Sequence, residues 1–269
     1  MMPRTLVLAA AAVLVAAEIT PEVASAQSGG GYSYTFRSTS DDDDDSMIGE
    51  VRVLGDRTRI DFRTNGWHKK GYLLLTEGGR RVTLVDPRDE EYRTLERDSF
   101  ERVISTAMRK VDRVMTMTLH DVRISTERLG GGGTVAGYAT EHYRLVQRFR
   151  VGVGVLGLTK DMDQEIVTEF WVAPRLALPA NPLIELLSTV ESALAQHDAS
   201  FVKRSLEARR SLFNGTPLRI VVTSRLHHEE EDDDVNVRRI EITEIGRARV
   251  DPEIFQIPRG YDRKDGWRF

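Results

Sequence analysis

Hydrophobic and polar residues alternate through the first part of the chain, from residue 32 to residue 95. Tyr34 and Phe36 are separated by polar residues, and so are Ile60 and Phe62. A period of two places each pair on one face of a β-strand. Turn residues interrupt the alternation at Gly55–Asp56, Asn65–Gly66, Gly78–Gly79 and Asp86–Pro87. Their spacing of ~8–12 residues predicts an antiparallel meander, because parallel strands need longer crossovers.

The hydrophobic period changes to that of a helix in three later segments. Apolar residues recur at steps of three and four over 100–111 and 181–194, and a further helix is expected over 200–213, ending at Asn214–Gly215. Strand patterns occupy 115–126, 134–151, 166–173, 218–227 and 235–250. The expected fold class is therefore α+β, a half-open antiparallel β-barrel whose concave face is covered by helices.

The N-terminus predicts export. Arg4 precedes an unbroken apolar run over 6–17, and small residues at 24–26 suit a signal peptidase. We expect a cleaved signal peptide at 1–26 and a single domain at 27–269, in the periplasm or secreted. The chain has no cysteine, so a lipoprotein anchor, disulfides and cysteine-ligated metals are excluded.

The candidate catalytic chemistry is sparse. The sequence contains no nucleophile elbow, no zinc-protease motif and no phosphate-binding loop followed by lysine, and its histidines are scattered. We therefore expect no catalytic residues, no metal site, no cofactor and no enzymatic activity. The four glycines Gly130–Gly133 are expected to form a flexible hairpin loop. The apolar, glycine-rich stretch 151–158 is either a buried strand or a mobile lip that touches a hydrophobic ligand or a membrane.

Two acidic runs stand out, Asp41 to Asp45 and Glu229 to Asp234, the second preceded by His227 and His228. Runs of like charge repel and stay solvated, so hairpin tips are the first interpretation. Oxygen-rich loops also attract cations, so cation binding stays open as an alternative.

The net charge of −4 gives no basic field that would suit nucleic acid. Cleavage after residue 26 would remove Arg4, Glu18 and Glu22, leaving 38 − 1 = 37 basic and 42 − 2 = 40 acidic residues. The two runs hold five and six of these acidic residues, so the rest carries 37 basic against 29 acidic residues. Such segregation favours transient contact with an anionic membrane surface.

Several short segments recur in an order typical of a known family: Gly31–Tyr34, Arg59–Asp61, Gly71–Leu74, Asp86–Pro87 with Tyr92, Gly137–Tyr138 with Tyr143, Glu169–Val172, Gly215–Arg219 and Phe255–Tyr261. Together they resemble a family of secreted bacterial domains of unknown function that is related to the LolA/LolB lipoprotein carriers. The resemblance implies a LolA-like barrel with an apolar cavity. No residue matches the carriers' gating arginine.

These observations lead to the expectation of a non-enzymatic binding protein for a lipid-like or acyl ligand. The candidate cavity residues are Tyr34, Phe36, Ile60, Phe62, Leu74 and Trp171 from the strands and Leu186, Leu187 and Val190 from the helical cover. Each could instead belong to an ordinary filled core. The alternative function is an envelope sensor or interaction module that binds an as yet unknown protein partner, with the acidic tips as its contact surfaces. A hydrolase is a third, weaker possibility.

Overall fold

The computed structural model describes residues 30–41, 47–63, 71–96, 115–155, 158–176, 199–227 and 233–265. They fall into two compact units. The meander unit contains the described residues up to 96, the turn 135–137 and residues 239–265. The long-strand unit contains the described residues of 115–134 and 138–238. The expected signal peptide and the predicted helices at 100–111 and 181–194 lie outside the described residues.

The meander unit begins with six strands that follow one another along the chain: β1 (Gly31–Ser40), β2 (Met47–Leu54), β3 (Arg57–Phe62), β4 (Tyr72–Thr76), β5 (Arg81–Asp86) and β6 (Glu91–Glu96). Each pairs antiparallel with the next. The predicted meander is therefore confirmed. Strand β11 (Asp234–Ala248) follows β1 in the hydrogen-bonding order, and its later residues belong to this unit.

The register gives the meander two different faces. Tyr34 pairs with Val51, Val51 pairs with Ile60, and Ile60 pairs with Leu73. Directly paired residues share a face of the sheet, so these four residues define an apolar face. Glu50 pairs with Asp61, and both lie on the opposite face.

The end of the chain returns to the meander. A short 3₁₀ helix (Pro252–Phe255) starts at Asp251, whose carboxylate accepts a hydrogen bond from the Glu253 amide. The two-residue strand β12 (Asp262–Arg263) then pairs parallel with β6. The amides of Asp262 and Lys264 donate to the carbonyls of Glu90 and Tyr92 at 2.8 and 2.9 Å. This C-terminal segment, residues 251–265, is thus tied to the edge of the meander.

The long-strand unit consists of β7 (Met115–Val135), β8 (Tyr138–Val155), β9 (Leu158–Ala173), helix α1 (Ala199–Leu212) and β10 (Thr216–His227), together with the first residues of β11. Its hydrogen-bonding order is β11, β10, β9, β8, β7. The predicted helix at 200–213 is confirmed as α1. Its inner residues pack against a core of Tyr143, Leu145, Phe170, Val172 and Ile220.

The expected fold class is wrong. Most of the described residues are in strands, with α1 and the 3₁₀ helix as their helical segments. The strand order has β12 and β7 as its two ends, so the strands are not closed into the expected helix-covered α+β half-barrel. The prediction of a flexible hairpin loop at Gly130–Gly133 is also wrong, because these glycines lie inside β7. Gly130 and Gly133 have φ angles of 108° and 73°, a backbone conformation that glycine adopts without strain.

Within the described part of the chain, no helix has both the length and the apolar character needed to cross a membrane.

Candidate functional site

The structure brings together four of the predicted ligand-binding residues. Tyr34, Phe36 and Ile60 lie on the apolar face of the meander and are at most 2% exposed. Phe62 lies on the same face, since it pairs with Gly49, which also pairs with Phe36, and Phe62 is only partly buried. These residues of β1 and β3, with Val51 of β2 between Tyr34 and Ile60, therefore form one continuous apolar surface.

The other predicted ligand-binding residues lie elsewhere. Leu74 pairs with Arg59 and so lies on the opposite face, where it packs with Tyr72 and Val85. Trp171 belongs to β9 of the long-strand unit and is partly buried. The remaining three predicted residues, Leu186, Leu187 and Val190, are outside the described residues.

Gly49 brings β2 close to an aromatic ring. A Cβ atom at this position would come within 2.2 Å of the Phe36 ring. Because the glycine has no side chain, the ring of Phe36 occupies the space where a Cβ atom would lie, and the ring is fully buried there.

The opposite face of β2 and β3 is charged. Arg52 donates to Glu50 at 2.7 Å and to Asp61 at 3.1 Å, and Arg63 forms a further ion pair with Glu50. Partial burial alone would raise the pKa of Glu50, but its bonds to Arg63 and Arg52 outweigh that effect and lower the pKa below 4.5. On β2 and β3 the two faces of the sheet thus differ sharply in polarity, whereas on β4 and β5 the face of the ion network carries the apolar residues Leu74 and Val85.

Arg59 links this charged network to the C-terminal segment. Its guanidinium donates to Asp61 at 2.7 Å and to the Ile254 carbonyl at 3.1 Å. The guanidinium carbon lies 3.7 Å from the centroid of the Tyr72 ring, which is a close cation–π contact. Burial raises the pKa of Tyr72, and the charge of Arg59 partly opposes that rise.

The outer face of the long-strand unit carries an aromatic stack. His142 stacks on Trp171 with the ring centroids 4.2 Å apart, and the guanidinium of Arg219 lies 5.3 Å from the Trp171 centroid. The register explains the stack, since His142 and Arg219 are the direct partners of Trp171 on β8 and β10. Gly132 leaves room for the indole, because a Cβ there would meet it at 2.8 Å.

The inner face of the same unit contains a feature that the sequence analysis missed. Buried polar residues lie among the apolar ones where α1 packs on the strands, five of them being Gln147, Gln164, Thr168 and Ser224 of the strands and Ser205 of α1. We call these five the polar layer. The alternation of residues in the sequence already indicated that Gln147 is buried. It occupies an inward position of β8, two residues after Leu145 and two before Phe149.

The first acidic run comes between β1 and β2 along the chain, and the second comes between β10 and β11 and ends at Asp234, the first residue of β11. Most of their residues lie outside the described part of the chain. At the second run, His227 Nδ1 lies 3.0 Å from Asp233 Oδ1, and Arg225 lies 3.9 Å from the same carboxylate. Among the described residues, no cluster of three or more metal-ligating side chains is present.

Comparison with known proteins identifies no family for this chain. No protein-family model and no curated protein matches the chain. The similar solved structures include an uncharacterized conserved protein from Thermus thermophilus, with 10% identity, a TM-score of 0.38 and coverage of 87% of this chain and 89% of that chain.

Two further solved structures are similar at the same low level. PNGF-II has 9% identity and a TM-score of 0.36, covering 88% of this chain and 31% of that chain. The MucA/MucB complex of Pseudomonas aeruginosa has 8% identity and a TM-score of 0.23, covering 79% of this chain and 88% of that chain. At TM-scores below 0.5, none of these likenesses carries a conclusion about this chain.

Proposed function

We propose that the protein is a secreted, non-enzymatic binding protein that holds a lipid-like, apolar ligand against the apolar face of the meander unit. One observation supports the proposal. Aromatic and aliphatic side chains of β1, β2 and β3 form a continuous apolar surface, whereas the reverse side of β2 and β3 carries an ion network.

The chemistry of this face suits an acyl chain. Phe36 and Ile60 are almost fully buried, and Phe62 at the end of β3 is the less buried residue of this face, where we expect an acyl chain to make its first contact. Burial of apolar area contributes roughly 25 cal/mol per Å², so a chain that contacts several of these side chains gains affinity without hydrogen bonds.

The test uses displacement of a dansyl-labelled fatty acid from the delipidated protein. Ile60→Ala removes apolar contact from the proposed binding face, and Leu74→Ala is the matched control. The two side chains are almost equally buried, at 1% and 2% exposed, but lie on opposite faces. We expect Ile60→Ala to weaken binding about tenfold, which corresponds to ~1.4 kcal/mol, and Leu74→Ala to leave it nearly unchanged.

Both substitutions cost stability, about 2–5 kcal/mol for a buried aliphatic residue. Binding is therefore measured below the unfolding transition of both variants. A wild-type protein that neither binds the probe nor yields lipid on extraction would refute the proposal, as would equal weakening by the two substitutions.

A further inference from the structure

The polar layer lies between α1 and the inner face of β8, β9 and β10. Gln147 Nε2 donates to Ser205 Oγ of α1 at 2.8 Å. Gln164 Nε2 donates to Ser224 Oγ at 2.8 Å and to the Arg225 carbonyl at 3.1 Å. These bonds tie α1 to the sheet at one point and fix the amide of Gln164.

Two polar atoms of the layer have no hydrogen-bond partner among the described residues. They are Gln147 Oε1 and Thr168 Oγ1, and both residues are 0% exposed. Leaving a buried polar atom unsatisfied is unfavourable, so such atoms normally meet a water or a ligand.

The register places these two residues one diagonal step apart on the same face. Leu145 pairs with Thr168, and Gln147 pairs with Ile166. Diagonal neighbours are about 7–8 Å apart at the backbone, within reach of one small group that lies between their side chains.

We propose that the polar layer is a binding site for a small, neutral, hydroxyl-bearing molecule. A hydroxyl group can both donate and accept, so it satisfies Thr168 together with either end of the Gln147 amide. The site is independent of the proposed function, because its residues belong to the long-strand unit.

The hydroxyl could come from a free polyol or from the glycerol headgroup of a lipid. Thermal unfolding is therefore measured in the presence of glycerol and, separately, of monohexanoylglycerol. A specific site gives a saturable rise in the unfolding temperature at millimolar ligand, whereas glycerol acting as an osmolyte gives a linear rise at molar concentration. Saturation by glycerol assigns a free polyol, and saturation by the monoacylglycerol alone assigns a headgroup.

Thr168→Val is the test variant, because it removes one unsatisfied hydroxyl and preserves shape. Thr223→Val is the matched control, since Thr223 pairs with Val167 on the outer face of the same unit. We expect at least a fivefold higher half-saturating concentration in Thr168→Val and no change in Thr223→Val. The proposal would be overturned if the unfolding temperature rose linearly with both compounds and equally in the wild type, Thr168→Val and Thr223→Val. That result would mean that only a buried water occupies the polar layer. A saturable response that Thr168→Val leaves intact would also overturn the proposal.

Discussion

Gly49 and Phe36 are direct partners across β1 and β2, and neither can be understood alone. The ring is fully buried because the glycine leaves the space that it fills. A side chain at position 49 must displace the ring from the most buried part of the apolar face.

Gly49→Ala should therefore destabilise the protein by about 1–3 kcal/mol, the usual cost of overpacking a well-packed core. Gly246→Ala in β11 is the control, because a Cβ there meets nothing within 4 Å. Urea denaturation followed by circular dichroism measures both. Equal stability of the two variants would show that Phe36 moves aside without cost.

Leu74 shows why its face could not be predicted from the sequence. Strand β4 reads Tyr72, Leu73, Leu74, Leu75, Thr76, with its first four residues all buried. Alternation identifies a face only where polar residues separate the apolar ones, and here the run is continuous. The pairing with Arg59 assigns Leu74 to the charged side of the meander, and pairing between strands is not visible in a single sequence.

At the scale of elements, the strands of the meander were predictable because the turn residues and the alternation of hydrophobic and polar residues indicate the same strand boundaries. The glycine run of β7 was not predictable, because glycine signals a loop locally, whereas hydrogen bonding to β8 keeps the run extended. Gly132 fits that context, since the close approach to Trp171 needs a residue without a side chain. The polar layer was missed for a related reason. The side-chain amide of Gln147 can be buried because it donates a hydrogen bond to Ser205, and that residue lies 58 positions away in the sequence.

Two attachments hold the C-terminal segment to the meander, the bond of Arg59 to the Ile254 carbonyl and the two-residue strand β12. Arg59→Met should loosen the segment, because the bond to the Ile254 carbonyl and the cation–π contact with Tyr72 are both lost. We expect the amides of Asp262 and Lys264 to exchange with deuterium about tenfold faster, with little change in β4 and β5.

Arg63→Met is the control for that measurement, since its side chain is 63% exposed and makes an ion pair only with Glu50 in this network. Exposed ion pairs contribute little. Unchanged exchange at Asp262 and Lys264 in Arg59→Met would show that β12 holds the segment by itself.

At the scale of the whole molecule, the ion network makes stability depend on pH. The pKa of Glu50 is lower in the folded protein than the ordinary value of 4.5. Its contribution is therefore fully present above pH 4.5 and is lost as the pH falls through the folded-state pKa.

Glu50→Gln should flatten the decline of the unfolding free energy between about pH 5 and pH 3. Glu244→Gln, at an exposed position of β11, is the control and should keep the wild-type slope. Urea titrations at several pH values give these slopes. Parallel curves for wild type and Glu50→Gln would contradict the role of the network.

The pairing of β1 with β11 bears on how the chain acquires its structure. Strands β1 to β6 each meet the strand next in sequence, so their hairpins close short loops. In contrast, Thr243 of β11 donates to the carbonyl of Thr35, across 208 positions of the chain. Closing so large a loop costs more conformational entropy than forming a hairpin, and contacts of this kind slow folding. The hairpins of β1 to β6 should therefore be the early structures, and the docking of β11 on β1 the late, rate-limiting one.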